Sequence, residues 1–255
     1  VIGSLVVLVG LSVNSSLRRH RRATLLMSGL SLLILAGLFI GYPYLTQFDQ
    51  GLIALVQEHR DPALDKIMVM VTQIGEFRAM FILSAVLTLL LLALRQWRQA
   101  AFAGATLLCT ALANTGSKWF FARVRPEVLS EPLTSFSMPS GHSSGSFALF
   151  LTLAVLAGRG QPPRMRLTWL LLGCLPAAAI ALSRVYLGAH WPTDILAGAM
   201  LAACVCAASL TLSQWQGPLK PMPARAWWLL LPVMLLMCGY MATRHLPHAL
   251  LRYAY

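Results

Sequence analysis

A succession of long apolar segments dominates this chain and limits what it can fold into. Eight such runs, each near the length of a helix that crosses a bilayer, lie near residues 1–17, 24–42, 78–94, 100–117, 143–158, 167–183, 194–213 and 226–243. Crossing the hydrocarbon core takes about 20 apolar residues in a helix. Only 11% of the residues are charged, whereas a soluble domain carries roughly 25%. The sequence therefore predicts an all-α, polytopic transmembrane helical bundle.

The charged residues divide between the two ends of the predicted bundle. The basic connections carry no acidic residue and lie at 18–22, 95–99, 159–166 and 216–225. All eight acidic residues fall in the alternate connections or at the span boundary at Asp194. By the positive-inside rule the basic connections are cytoplasmic, and the other face is periplasmic in a bacterial inner membrane. The net charge of +12 thus orients the chain, and no nucleic-acid partner is expected.

Residues 47–76 are too polar to span a membrane. Apolar residues at helical spacing on both sides of the Asp61–Pro62 break predict two short amphipathic helices on the outer surface. The five cysteines all lie within apolar runs, so neither a disulfide framework nor a zinc site is indicated. No P-loop, HExxH motif or carboxylate-rich magnesium site is present, and no metal or cofactor is expected.

Three polar stretches, 118–126, 139–142 and 183–194, fall on the acidic face. Each alone has an ordinary explanation as an interfacial anchor or a turn. Together they bring six polar side chains to one face of the bundle, namely Lys118, Arg125, Arg184, His142, His190 and Asp194. The three cations would bind a multiply charged anion, for which phosphate is the obvious candidate. Ser140 and Gly141 precede a predicted helix, whose first N–H groups are suited to the same anion.

Two histidines at this face provide what hydrolysis of a phosphate ester requires, a nucleophile and a proton donor for the leaving group. His190 and Asp194 are four residues apart, and Pro192 predicts that a helix begins near Trp191. That spacing allows the carboxylate to orient the imidazole ring. The residues alone do not decide which histidine attacks.

The motifs K-x6-R-P, P-S-G-H and S-R-x5-H-x3-D, in this order, resemble the three signature motifs of the type 2 phosphatidic acid phosphatase family. Every motif position is filled: Lys118, Arg125 and Pro126; Pro139, Ser140, Gly141 and His142; Ser183, Arg184, His190 and Asp194. The resemblance covers residues 24–213 and implies a six-helix phosphatase core with extra terminal spans.

The resemblance also implies a metal-independent mechanism. His190 would attack phosphorus to form a phosphohistidine, Asp194 would orient it, and His142 would protonate the leaving oxygen and then activate water. The phosphoryl oxygens would be held by Lys118, Arg125, Ser140, Gly141 and Arg184. The expected substrate is a membrane lipid phosphate of the undecaprenyl diphosphate or phosphatidate type, hydrolysed at the periplasmic surface of the bilayer.

The predicted domain organisation has three parts. Residues 1–23 form a partial span and a basic cytoplasmic linker, 24–213 the phosphatase core, and 214–255 an extra span and tail. By resemblance to fused bacterial members, the first segment is a candidate remnant of an upstream DedA-type domain.

Several alternatives stand beside this interpretation. The chain could be a non-catalytic transporter or scaffold that retains a phosphate site, although every catalytic position is filled. Cys238 and Arg244 fit the C-x5-R pattern of cysteine-dependent phosphatases, but they lie in a predicted helix whose N–H groups are already bonded. Arg123 lies outside the motif, and an interfacial anchor is favoured there over a contact with phosphate or headgroups.

Overall fold

Ten α-helices build the computed structural model, which describes residues 2–129, 133–244 and 246–253, with side chains from residue 21 onwards. A 3-10 turn at Tyr42–Leu45 joins the first two helices. The helices are α1 (Ile2–Gly41), α2 (Thr46–Glu58), α3 (Pro62–Ile74), α4 (Phe77–Ala93), α5 (Trp97–Phe121), α6 (Gly141–Ala157), α7 (Pro163–Tyr186), α8 (Pro192–Ser213), α9 (Ala224–Thr243) and α10 (Leu246–Arg252).

The all-α membrane bundle predicted from the sequence is confirmed. By length and composition, four helical stretches can cross a bilayer: 21–58, α7, α8 and α9. The pair α3 and α4, bent by 48°, makes a fifth if it counts as one span. Two further predicted spans, α5 and α6, are helical but are not among the stretches that can cross a bilayer by length and composition. Helix α6 has only 17 residues, and α5 carries buried polar side chains such as Gln99 and Asn114.

The prediction of a separate first span followed by a basic linker differs from the structure. Helix α1 runs unbroken from Ile2 to Gly41 and includes residues 18–22. Arginine is a good helix former, so a short basic cluster has no reason to interrupt a helix. The division at residues 23 and 213 into three parts stays a prediction.

The two amphipathic helices predicted in residues 47–76 are present as α2 and α3. Helix α3 begins where it does because the Asp61 carboxylate accepts hydrogen bonds from the N–H groups of Ala63, at 2.9 Å, and Leu64, at 3.1 Å. Pro62 occupies the first helical position, where the missing N–H costs nothing.

Helices α4, α5, α6, α8 and α9 surround the largest apolar core, with fully buried side chains such as Leu83, Phe102, Leu149 and Leu230. Helix α8 approaches the start of α6 closely at Gly198. A Cβ atom there would lie 2.7 Å from the carbonyl oxygen of Ser140 and 2.9 Å from the Cβ of Ser143. Only glycine permits this approach, which brings the beginnings of α6 and α8 together.

Candidate active site

The starts of α6 and α8 meet at one end of the bundle, and the polar stretches of the sequence converge there. The N–H of Ser140 donates to the carbonyl of Asp194 at 3.0 Å. Ser140 caps α6, because its hydroxyl accepts from the N–H of Ser143 at 3.4 Å, and Gly141 is the first residue of that helix. The second and third motifs are therefore joined through their backbones.

His190 lies in the turn between α7 and α8 and is almost fully buried. Its Nδ1 lies 3.3 Å from Oδ2 of Asp194, as the four-residue spacing predicted. The same carboxylate oxygen caps α8 by accepting from the N–H of Trp191 at 2.9 Å, and it also accepts from the hydroxyl of Ser137. Helix α8 begins at Pro192, one residue after the predicted position.

The opposite side of the His190 ring faces Arg125. The NH1 group of Arg125 lies 2.9 Å from Nε2 of His190. Because a guanidinium has only donors, Nε2 must accept this hydrogen bond with its lone pair. The ring proton is then on Nδ1, directed at Asp194. The nitrogen with nucleophilic character is thus Nε2, on the side of the cations.

Lys118 and Arg125 are held by backbone carbonyl groups of the loop that precedes α6 and of the turn that precedes α8. Nζ of Lys118 donates to the carbonyls of Phe136, at 2.5 Å, and Ser137, at 3.1 Å. Arg125 donates from Nε to the carbonyl of Ser135 at 2.6 Å and from NH1 to that of Ala189 at 2.6 Å. Both cations are therefore fixed beside His190 by neutral acceptors.

The electrostatic field of the site favours neutral His190. Burial lowers the pKa of His190 well below 6.5, and the positive charges of Arg125, Lys118, Arg184 and His142 lower it further. Burial, followed by the charge of Arg184, lowers the pKa of Arg125 to about 10. Positive charge thus accumulates around an uncharged imidazole, an arrangement suited to an anionic reactant.

Arg184 approaches the same centre from the end of α7 and is 2% exposed. Its NH1 donates to the hydroxyl of Thr72 at 2.9 Å and to that of Tyr253 at 2.7 Å. Its Nε is buried and has no hydrogen-bond partner within the described part of the chain. A buried N–H without an acceptor is costly, and a phosphoryl oxygen would satisfy it.

His142 lies in the first turn of α6 and is half-buried. The bend between α3 and α4 lies against it: a Cβ added to Gly75 would be 3.0 Å from Cδ2 of His142. His142 follows Ser140 and Gly141, and the bond from the N–H of Ser140 to the carbonyl of Asp194 places this first turn of α6 beside the start of α8. All eight predicted site residues therefore lie in this region, while their catalytic roles stay predictions.

The interpretation of Arg123 as an interfacial anchor, which the sequence favoured, is wrong. It is buried and forms ion pairs with Asp49, at 2.6 Å, and with Asp194, at 2.7 Å. Asp49 also accepts hydrogen bonds from the N–H and hydroxyl of Thr193, at 3.0 and 2.5 Å. Helix α2 is thereby tied to the carboxylate that contacts His190.

Sequence reasoning missed Asp49, Thr72, Ser137 and Tyr253. Only Asp49 could have been found from the sequence. It precedes the apolar residue Ile53 by four positions, which places both on the same, buried face of α2. The C-x5-R alternative is not supported, because Cys238 lies inside the continuous helix α9. Within the described residues, no group of three or more His, Cys, Asp or Glu side chains could hold a metal, and the expectation of metal independence stays a prediction.

Comparison with protein families gives a match between residues 99–218 and the model of the PAP2 superfamily. All three motifs lie inside this range. The chain is 29% identical to an undecaprenyl-diphosphatase of Sulfolobus acidocaldarius, over 68% of this chain and 82% of that protein. It is 34% identical to phosphatidylglycerophosphatase B of Bacillus subtilis, over 34% of this chain and 44% of that protein.

Two crystal structures share the fold. A phosphatidylglycerolphosphate phosphatase of Bacillus subtilis superposes with a TM-score of 0.64 at 22% identity, covering 72% of this chain and 94% of its own. LpxE of Aquifex aeolicus gives a TM-score of 0.51 at 23% identity, covering 63% of this chain and 93% of its own. None of the matches supports the DedA-type upstream domain.

Proposed function

We propose that the chain is a membrane phosphatase of the PAP2 superfamily, whose family model matches residues 99–218, and that it hydrolyses a lipid phosphate without a metal, through a phosphohistidine on His190. The observation that carries this proposal is the environment of the His190 ring. Its Nδ1 is 3.3 Å from a carboxylate, and its Nε2 is 2.9 Å from the guanidinium of Arg125. A neutral, oriented imidazole beside fixed cations is what attack on a phosphate requires.

In the first step, the lone pair of His190 Nε2 forms a bond to phosphorus as the bond from phosphorus to the lipid oxygen breaks. The negative charge of the bound phosphate favours a protonated His142, which then gives its proton to that leaving oxygen. Asp194 stabilises the positive charge that develops on His190, as an orienting carboxylate does in other nucleophilic sites. The lipid alcohol, or the lipid monophosphate if the substrate is a diphosphate, then leaves.

In the second step, water attacks the phosphohistidine. His142, now neutral, takes a proton from the water as the bond between phosphorus and Nε2 breaks, and orthophosphate is released. The equatorial oxygens are bound by Lys118, Arg125 and the Nε of Arg184, which has no partner among the residues that the structure describes. The first N–H groups of α6, after Ser140 and Gly141, bind them as well. These groups stabilise the negative charge of the transition state.

The lipid tail of the substrate stays in the bilayer in this proposal. Next to Lys118, the side chains of Trp119 and Phe120 are 75% and 82% exposed, which fits a surface in contact with lipid. The names of the relatives favour either a polyprenyl diphosphate or a glycerophospholipid monoester. The distribution of basic connections supports an active site on the periplasmic face.

The test uses protein purified in detergent with EDTA present and a panel of undecaprenyl diphosphate, phosphatidate and phosphatidylglycerol phosphate. Phosphate release is expected, with vanadate as an inhibitor. His190→Ala should abolish release and the acid-labile labelling of the protein by radioactive phosphate, whereas His59→Ala, a change at an exposed histidine, should alter neither. Full turnover by His190→Ala, or activity that depends on an added metal, would overturn the proposal.

A further inference from the structure

The two carboxylate oxygens of Asp194 have different partners. Oδ2 lies 3.3 Å from Nδ1 of His190, whereas Oδ1 accepts a hydrogen bond from NH1 of Arg123 at 2.7 Å. Asp194 is fully buried, and Arg123 is only 8% exposed. A cation that is withdrawn from water is therefore in direct contact with the carboxylate next to His190.

Arg123 also binds a second carboxylate, which comes from α2. Its NH2 donates to Oδ2 of Asp49 at 2.6 Å, and Asp49 is fully buried. The hydroxyl of Thr193 connects the two groups, because it accepts from NH1 of Arg123 at 2.7 Å and donates to Oδ2 of Asp49 at 2.5 Å. The N–H of Thr193 donates to Oδ1 of Asp49 at 3.0 Å. Both oxygens of Asp49 thus accept hydrogen bonds from this network.

Aromatic rings fix the guanidinium of Arg123 in place. Its central carbon lies 4.9 Å from the ring centroid of Tyr42 and 5.5 Å from that of Trp191. A guanidinium is planar and forked, so it stacks on aromatic faces and can hold two carboxylates at once. Arg123 is therefore a rigid link between α2 and the start of α8.

The formal charges of this network determine the field at His190. Arg123 by itself would cancel the negative charge of Asp194, and Asp49 restores it, since two carboxylates share one guanidinium. Buried charges are screened much less than exposed ones, so the net charge of the network acts on the ring of His190. Asp49 lies outside residues 99–218, which match the family model.

We propose that Arg123 and Asp49 are positioning residues of the phosphatase reaction, which act on His190 through Asp194. Arg123 fixes the carboxylate, and Asp49 keeps the network negative. This role presupposes the phosphohistidine mechanism proposed above. There the lone pair of Nε2 forms the bond to phosphorus while the proton stays on Nδ1, so the ring becomes positively charged.

A negative network stabilises that charged ring, and a neutral network does not. Removing the charge of Asp49 should therefore slow the formation of the phosphohistidine. It should not slow hydrolysis of the phosphohistidine, because a less stabilised imidazole ring is a better leaving group. A defect in packing has no reason to separate the two steps in this way.

The test measures the two steps separately by rapid-quench labelling of the detergent-purified protein. The probe is the lipid of the panel above that the unmodified protein hydrolyses fastest, labelled in its terminal phosphate. Asp49→Asn removes the charge but keeps the shape of the side chain and an oxygen that can accept from Arg123. Formation of the phosphohistidine should fall about tenfold, as expected when the charge of one hydrogen-bonding partner is lost in a buried network.

Hydrolysis of the phosphohistidine in Asp49→Asn should be as fast as in the unmodified protein or faster, and KM should be nearly unchanged. Glu58→Gln, a change at an exposed carboxylate of the same helix, should alter neither step. Slowing of both steps of Asp49→Asn by the same factor, or a change confined to KM, would overturn the proposal.

A double variant separates charge from packing. Arg123→Gln leaves two buried carboxylates without their cation and should lose most of the rate, because breaking a buried ion pair is costly. Adding Asp49→Asn returns the network to one negative charge, so the double variant should form the phosphohistidine faster than Asp49→Asn alone. Arg123→Lys keeps the charge without the fork and should retain part of the rate.

A folded double variant that is slower than Asp49→Asn would overturn the proposal, since independent structural defects are expected to add. Circular dichroism and the unfolding temperature of each variant establish that the protein compared is folded. Absence of a phosphohistidine in the unmodified protein would overturn the proposed function and this inference together. A phosphohistidine that forms equally fast in Asp49→Asn and in the unmodified protein would overturn this inference alone.

Discussion

Tyr253 is expected to contribute to catalysis although it lies outside the residues matched by the family model. Its hydroxyl accepts a hydrogen bond from Arg184 NH1 at 2.7 Å, and its ring centroid lies 5.2 Å from the same guanidinium. The backbone carbonyl of Tyr253 accepts from Arg60 at 3.2 Å, which fixes the C-terminal segment over the site. Tyr253→Phe removes the hydroxyl and keeps the ring.

The size of the effect follows from the contacts of Arg184. A hydrogen bond to a charged group contributes about 1.5–3 kcal/mol, and about 1.4 kcal/mol corresponds to a tenfold change in rate. In the variant, NH1 keeps the hydroxyl of Thr72 as an acceptor at 2.9 Å, so the lower end of this range applies. We expect kcat/KM to fall about tenfold, and further when Thr72→Val is added, because NH1 then loses both acceptors.

The assay is initial-rate phosphate release in detergent, with the unfolding temperature measured on the same samples. Tyr240→Phe, at a tyrosine that is 62% exposed, is the matched control and should behave as the unmodified protein. Inhibition by vanadate should weaken in parallel with kcat/KM if Tyr253 acts through the phosphate site. A Tyr253→Phe enzyme within twofold of the unmodified protein would refute the reasoning.

Three further predictions concern the packing and protonation of the site. Asp49→Asn should lower the free energy of unfolding, measured by denaturant unfolding, by about 2–3 kcal/mol. This is less than the ~3–5 kcal/mol lost when a buried ion pair is fully broken, because Arg123 still forms its ion pair with Asp194. Gly198→Ala should cost about 1–3 kcal/mol and reduce turnover, because its Cβ would meet the carbonyl of Ser140 at 2.7 Å. Since the pKa of His190 lies well below 6.5, the ring stays neutral as the pH falls to 6.5, and the acid limb of single-turnover phosphoenzyme formation should lie well below that pH.

Matched controls exist for these changes. Glu58→Gln alters an exposed carboxylate of the same helix as Asp49 and should not change stability. Gly51→Ala adds a Cβ in α2 where nothing lies within 4 Å and should be tolerated. Equal stability of Asp49→Asn and Glu58→Gln, equal turnover of Gly198→Ala and Gly51→Ala, or an acid limb at or above pH 6.5 would each contradict its prediction.

The membrane fold and most helices could be predicted because apolar runs and amphipathic spacing are local properties of the chain. The Asp61–Pro62 pair even indicated where α3 begins. The helix break expected at residues 18–22 is absent, since α1 continues through them. A cluster of charges indicates on which side of a membrane a segment lies, but it does not by itself end a helix.

The site was predictable where the motifs are contiguous, and less so where it depends on tertiary contacts. The pairing of His190 with Asp194 follows from a four-residue spacing. Arg123 was misinterpreted because its partner Asp49 lies 74 residues away in the sequence. Tyr253 reaches Arg184 from 69 residues away, and no periodic pattern connects two such positions.

The loop carbonyls that hold Lys118 and Arg125 have a consequence for turnover. Each N–H that these cations direct at Phe136, Ser137 or Ala189 has to change partner before it can reach an incoming phosphoryl oxygen. In the reaction proposed above, orthophosphate left after hydrolysis would compete with the same carbonyls for these N–H groups. The carbonyls would then favour release of the product, and strong product inhibition is not expected.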